Sequence, residues 1–119
     1  MVSKVRLERI IERIHQELSE ILLQEVADPR IAGVGITRVK VDRELAYADI
    51  FVSAPVEPQE IAPILDGLNH AQGYLRSLLA SRIELRIFPR LRFHWDPIPT
   101  KADQMEKLFA QIRRERGEA

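Results

Sequence analysis

Leu68-Asn69-His70-Ala71-Gln72-Gly73-Tyr74-Leu75-Arg76 decides the fold, because the helical rhythm on either side of it fails in its middle. Upstream, Ile61, Ile64, Leu65 and Leu68 recur at i, i+3, i+4 and i+7; downstream, Leu75, Leu78, Leu79 and Ile83 resume the pattern. In one straight helix, at about 100° per residue, Gln72 would point into the centre of the apolar stripe, where its amide needs buried partners. A break at Ala71 to Gly73 removes that conflict. Gly73 is expected to supply the backbone freedom, since a glycine inside a regular helix costs about 1 kcal/mol relative to alanine. Gly73→Ala is then expected to weaken whatever the kink binds. The pattern alone leaves one alternative, a continuous amphipathic helix with a glycine in it.

Towards the N-terminus, Leu7, Ile10, Ile11, Ile14, Leu18, Ile21 and Leu22 keep to one face of a helix over 3–26, which Asp28-Pro29 ends. Arg6, Arg9 and Arg13 share a flank of it, read first as a solvated face and second as an RNA contact. Arg30 is placed to bond the last carbonyls of that helix. Residues 34–41 and 46–53 read as two strands of a hairpin around Asp42-Arg43-Glu44. Ala46, Ala48, Ile50 and Val52 share its core face. The alternation in the first strand slips between Val34/Ile36 and Val39/Val41, which indicates a bulge or a strong twist.

Beyond the kink, the period-2 pattern predicts a strand over 86–95. Ile87, Leu91, Phe93 and Trp95 face the core, and Arg86, Arg90, Arg92 and His94 face away from it. Charged residues also protect sheet edges, yet arginine without a single lysine favours recognition of phosphate and bases. Thr100 to Asp103 resembles a capping box, and Met105, Leu108, Phe109 and Ile112 give a last amphipathic helix expected to close the core.

A chain of 119 residues supports one core, so a single domain is expected over 1–119, its core at about 4–96 and its C-terminal helix at about 100–116. No cysteine is present, and no apolar run approaches the roughly 18 residues of a membrane span. The location expected is cytoplasmic. Net charge is zero, which argues against indiscriminate coating of nucleic acid. The charge is nonetheless polarised. Arg76, Arg82, Arg86, Arg90 and Arg92 meet only Glu84 between Asn69 and Trp95, whereas Glu57, Glu60 and Asp66 stand without a base between Ile50 and Leu68.

Catalytic and metal-binding signals are missing. His15, His70 and His94 have no ligand spacing, and there is neither a nucleophile elbow nor a phosphate-cradling Gly-Lys-Ser/Thr loop. No enzyme activity, cofactor or metal is expected.

The order helix, strand, strand, helix, kink, helix, strand resembles a type II KH domain, an α+β (αββααβ) module for single-stranded RNA. The GxxG loop of such domains is absent, and Ala71-Gln72-Gly73 stands in its place. With that departure the chain resembles the ribosome-binding factor A family. The matching residues are Asp28-Pro29-Arg30, Ile36-Thr37-Arg38-Val39, Leu68-Asn69 with Ala71, Gly73 and Arg76, and Leu85-Arg86 followed by Pro89, Leu91, Phe93 and Asp96. They run in order over roughly residues 5 to 96, while Glu44 and the Pro97-Ile98-Pro99 linker depart from the family pattern.

The resemblance implies a maturation factor that binds the free small ribosomal subunit and its 16S rRNA. It would assist late folding and 5′-end processing without catalysis, as a monomer without membrane or DNA partners. The candidate RNA contacts are Asn69, Ala71, Gln72, Gly73, Arg76, Arg82, Arg86, Arg90 and Arg92, positioning the backbone rather than reading bases. A generic KH-type RNA binder and a protein-interaction module whose arginines meet an acidic partner are the competing readings.

Overall fold

The computed structural model describes residues 1–24, 28–31, 33–97 and 101–117, with the backbone alone for 101–104. Helix α1 (Lys4–Gln24) leads into a hairpin of β1 (Gly35–Val41) and β2 (Tyr47–Ser53). A 3-10 turn at Pro58–Glu60 opens α2 (Ile61–His70), followed by α3 (Gln72–Arg82), β3 (Arg90–Trp95) and α4 (Lys101–Glu115). The sheet order is β1-β2-β3, with β1 antiparallel and β3 parallel to β2.

α1 starts where Ser3 caps it, its Oγ accepting the Arg6 amide at 3.2 Å. Its apolar stripe is buried at Ile10, Ile14, Leu18, Ile21 and Leu22. The predicted last residues of this helix, 25 and 26, lie outside the described ones. Arg30 bonds none of its carbonyls among the described residues. The guanidinium instead pairs with Asp28, at 2.7 Å from Oδ2, because the turn after Pro29 folds the side chain back on its own loop.

In the sheet the ladder slips between Ile36 and Arg38, so the shift in the sequence pattern is a bulge at Thr37. Across it Val39, Val41, Ala48, Ile50, Val52, Leu91 and Phe93 face one way and are buried. Ala46, expected with them, is exposed and precedes the ladder. Leu45 in the hairpin turn holds a left-handed φ of 57°, uncommon for leucine, while its side chain packs against the core and its amide bonds the Asp42 carbonyl.

Helices α1, α2 and α3 cover that apolar face: α1 lies on β1, and α2 and α3 lie on β3. Burying one leucine or isoleucine there stabilises the fold by about 1.5–3 kcal/mol. Ile14, Leu18, Ile21, Ile50, Leu68, Leu75, Leu79 and Leu91 are all fully buried.

Two further expectations are corrected. The last strand begins at Arg90, not at residue 86: Ile87 is 70% exposed while Phe88 and Pro89 are buried. Pro89 has no amide to give a ladder, so the segment before it takes its own path and the period-2 parity does not extend back through it. α4 does not close the core. It packs against none of the other described elements, and Met105, Leu108 and Phe109 remain about half exposed. The sheet's apolar face is already covered by three helices, which leaves α4 no buried surface to join. Thr100, the expected cap, lies outside the described residues. No helix among them is long and apolar enough to cross a membrane.

Candidate nucleic-acid interface

The helical run is broken at Ala71, whose φ of −85° and ψ of 0° end α2 and begin α3. A ψ near 0° instead of about −42° turns the chain off the helix axis. The Ala71 amide closes α2 on the Gly67 carbonyl at 3.0 Å, and its own carbonyl accepts the Leu75 amide at 2.9 Å. The break leaves Gln72 half-buried at the rim of the core between two fully buried neighbours, Leu68 and Leu75. The amides of Gln72, Gly73 and Tyr74 precede the first bond of α3, and no side chain caps them. Such amides carry the positive end of a helix and favour an anion. Asn69 and Gly73 are exposed beside them.

Gly73 is not the residue that makes the break. Its φ is not positive, and a Cβ built on it meets nothing within 4 Å. The glycine that geometry requires is Gly67, buried in α2: a Cβ there would stand 3.0 Å from Ile31 Cγ2 and 3.3 Å from Arg30 Nε. The turn formed by Asp28, Pro29 and Arg30 therefore packs directly on α2, just ahead of the kink. A glycine inside an apolar helical stripe was the available signal for this close approach.

The five arginines divide by what they already hold. Arg76 is part-buried and donates through Nη2 to the Phe88 carbonyl at 2.7 Å and through Nε to the Pro89 carbonyl at 3.2 Å. It fastens the first turns of α3 to the approach of β3 and is not a solvated cation. Arg82 reaches α1, where Glu17 and Glu20 lie 3.4 and 3.7 Å away, and its carbonyl accepts Arg13 Nη2. Arg92 makes two bonds to Asp49, at 2.9 and 3.0 Å, and lies 4.0 Å over the Tyr47 ring. This pairing, more than burial, sets the titration of Asp49: the Arg92 hydrogen bonds pull its carboxyl below the ordinary 3.8, burial opposes, and a bond with His94 adds to the fall.

Arg86 and Arg90 are exposed and have no ion-pair partner among the described residues. Arg86 lines a shallow depression with Arg6 and Arg43. Arg90 projects from the sheet face opposite the helices. The structure thus joins the kink to the Arg86–Arg90 segment through Arg76, whereas Arg82 is turned towards α1.

That opposite face carries groups the sequence reading did not single out as contacts. Arg38 and Lys40 from β1 and Tyr47 and Phe51 from β2 share it with Arg90, Arg92 and His94. Each of these alternates with a buried apolar residue, and that alternation was the signal.

Comparison with known proteins agrees with this architecture. A family model described as ribosome-binding factor A matches residues 6–109. Ribosome-binding factor A of Chromohalobacter salexigens is 39% identical over 106 residues, covering 87% of this chain and 81% of that protein. The crystal structure of ribosome-binding factor A from Thermus thermophilus superposes with a TM-score of 0.65 at 25% identity, over 74% of this chain and 93% of that one. A homology model of the Thermus thermophilus factor, fitted into a cryo-electron microscopy map of a 30S–RbfA complex, matches with a TM-score of 0.61 at 26% identity, over 75% and 97% of the two chains. With the αββααβ order, the kink at Ala71 and the KH-like sheet in place, the chain belongs to the ribosome-binding factor A family.

Proposed function

We propose that this chain binds the free small ribosomal subunit through its 16S rRNA and assists late folding and 5′-end processing of that RNA without catalysis. Membership of the family carries the reading, together with the 30S complex into which the Thermus thermophilus relative was fitted. The local chemistry supports it. Uncapped amides at the start of α3 and the exposed Arg86 and Arg90 offer phosphate ligands on either side of the Arg76 bridge. Asn69, Ala71, Gln72 and Gly73 shape the first of these sites, and Arg76, Arg82 and Arg92 hold the surrounding frame. On this reading the chain works as a monomer in the cytoplasm, on RNA rather than DNA.

Sedimentation with purified small subunits tests the binding, with large subunits as the control. Cells lacking the protein should accumulate 16S rRNA with an extended 5′ end, read by primer extension. Equal retention on both subunits, or a normal 5′ end, would refute the reading. RNA cleavage or nucleotide hydrolysis that survives a second purification column, and is lost on mutating one acidic residue, would refute the absence of catalysis.

A further inference from the structure

Helices cover one face of the sheet, and its opposite face is open among the described residues. The strand register arranges that face in three rows. Tyr47 pairs with Arg90, Lys40 and Arg92 flank Asp49, and Arg38 and His94 flank Phe51. Along each strand the rows are two residues apart, about 6.6–6.8 Å.

A flat cation lies on each of the two aromatic rings, from the neighbouring row for Tyr47 and from the same row for Phe51. Arg92 lies 4.0 Å over Tyr47 and Arg38 lies 4.3 Å over Phe51, whose other neighbour, His94, stacks at a centroid distance of 5.0 Å. Cross-strand pairs of this kind stabilise a sheet by themselves, about 0.2–1 kcal/mol each, and charged edges resist aggregation. Neither role calls for a surplus of one sign. The acids on this face are already engaged: Asp49 by Arg92, Asp42, opposite Tyr47, by the Ala46 and Tyr47 amides, and Asp96, beyond His94, by the Thr37 hydroxyl. Arg38, Lys40 and Arg90 have no ion-pair partner among the described residues, in a chain that is neutral overall. Flat rings, guanidinium planes layered on them and unpaired cations together suit an unpaired nucleic-acid strand. Its bases stack on aromatic and guanidinium planes, and its phosphates meet the free charges.

We propose that the helix-free face of the sheet is a second RNA-binding surface, separate from the kink, that takes single-stranded RNA by stacking bases on the Tyr47 and Phe51 layers. It rests on the RNA-binding reading for the class of ligand and not on the ribosome as its source. Double-helical RNA keeps its bases stacked inside and offers this surface only phosphate.

The probe is a labelled oligo-cytidine strand titrated with the intact protein, read by fluorescence anisotropy at several salt concentrations. Tyr47→Thr removes an exposed ring while keeping a residue suited to a strand. It is expected to weaken binding about tenfold, within the range that one stacked base contributes, without changing the salt slope, because no charge is lost. Lys40→Gln, at an exposed position of the edge strand, is expected to lower the magnitude of that slope by about 0.7. Wild-type affinity in both variants, with wild-type melting, would overturn the proposal. So would equal affinity for oligo-cytidine and polyglutamate, which would point to an acidic protein instead. A wild-type protein that sediments with small subunits but ignores the oligonucleotide refutes this surface alone. One that binds the oligonucleotide through Tyr47 but not the subunit supports the surface and refutes the ribosomal reading.

Discussion

Arg76 Nη2 lies 2.7 Å from the Phe88 carbonyl, across twelve residues of chain, and its Nε holds the next carbonyl, that of Pro89. Neither carbonyl belongs to the β3 ladder, which starts at Arg90, so a charged donor satisfies backbone that the strand does not reach. Hydrogen bonds from a charged group contribute about 1.5–3 kcal/mol. Arg76→Ala is therefore expected to lower stability by about 2 kcal/mol, read in urea unfolding as a fall in midpoint at constant m. Arg76→Lys should recover only part of it, since an ammonium lacks the fork that spans two carbonyls. An unchanged midpoint in Arg76→Ala would return this arginine to the surface.

The two glycines of the helical pair are expected to respond with opposite sign. Gly73→Ala meets open space in a helical backbone and should stabilise by about 0.5–1 kcal/mol. Gly67→Ala would press on Ile31, which is fully buried, and on Arg30, whose guanidinium Asp28 holds. Neither can give way easily, and an overpacking cost of about 1–3 kcal/mol outweighs the helix-propensity gain. Thermal melts of the two variants check both, and a stabilised Gly67→Ala would mean that the turn at Asp28 to Arg30 is not seated on α2.

What was legible in the sequence follows from the range of the forces involved. The bulge at Thr37 and the break near Gln72 show because a local period fails, and the failure is written in adjacent residues. The assignment of the break to Gly73 was wrong because alanine also tolerates a ψ of 0°, so the chain can turn without glycine. The fates of Arg76, Arg82 and Arg92 were hidden for another reason. Their partners lie 12 to 65 residues away, and only the sheet brings Asp49, and the packing of α1 on α3 brings Glu17, to them. Helix α4 shows the same limit: its amphipathic pattern predicts the helix, but a pattern does not say whether the core has room for it.

Acid should unfold this protein through identifiable carboxylates. Backbone hydrogen bonds, that from the Tyr47 amide above all, hold the Asp42 carboxyl below its ordinary 3.8, against burial; Asp28 is lowered chiefly by its hydrogen bonds with Arg30, and Asp49 chiefly by those with Arg92. A carboxyl whose folded pKa is depressed adds stability above its unfolded value and loses it as pH falls through the folded one. Melting temperature should thus be level at neutral pH and fall once the pH drops below about 4. Asp42→Asn should be less stable at pH 7 and show a shallower acid limb. Because its partners are amides, that difference should persist in high salt, whereas the Asp49 contribution should shrink. Parallel acid limbs for wild type and Asp42→Asn would remove Asp42 from this account.

On the proposed function, salt dependence of small-subunit binding is expected to separate the cations that meet phosphate from those that hold the fold. Arg76 is occupied by carbonyls, Arg82 by Glu17 and Glu20, and Arg92 by Asp49. Between the approach to β3 and the open sheet face, Arg38, Lys40, Arg86 and Arg90 have no ion-pair partner among the described residues. Each phosphate neutralised on a single strand contributes about −0.7 to the slope of log affinity against log salt, so four such contacts give a slope near −3. Arg90→Gln and Lys40→Gln should each reduce its magnitude by about 0.7 with little change in melting, since exposed cations contribute little to folding. Arg76→Ala should do the reverse, lowering the melting temperature and leaving the slope alone. Acid-for-acid changes at Glu57 and Glu60 should alter neither. A wild-type slope near −1.4 would mean that only two cations, Arg86 and Arg90, reach phosphate, and that the β1 edge stays off the RNA. A slope that falls with Arg76→Ala but not with Arg90→Gln would mean that Arg76 releases its carbonyls on binding.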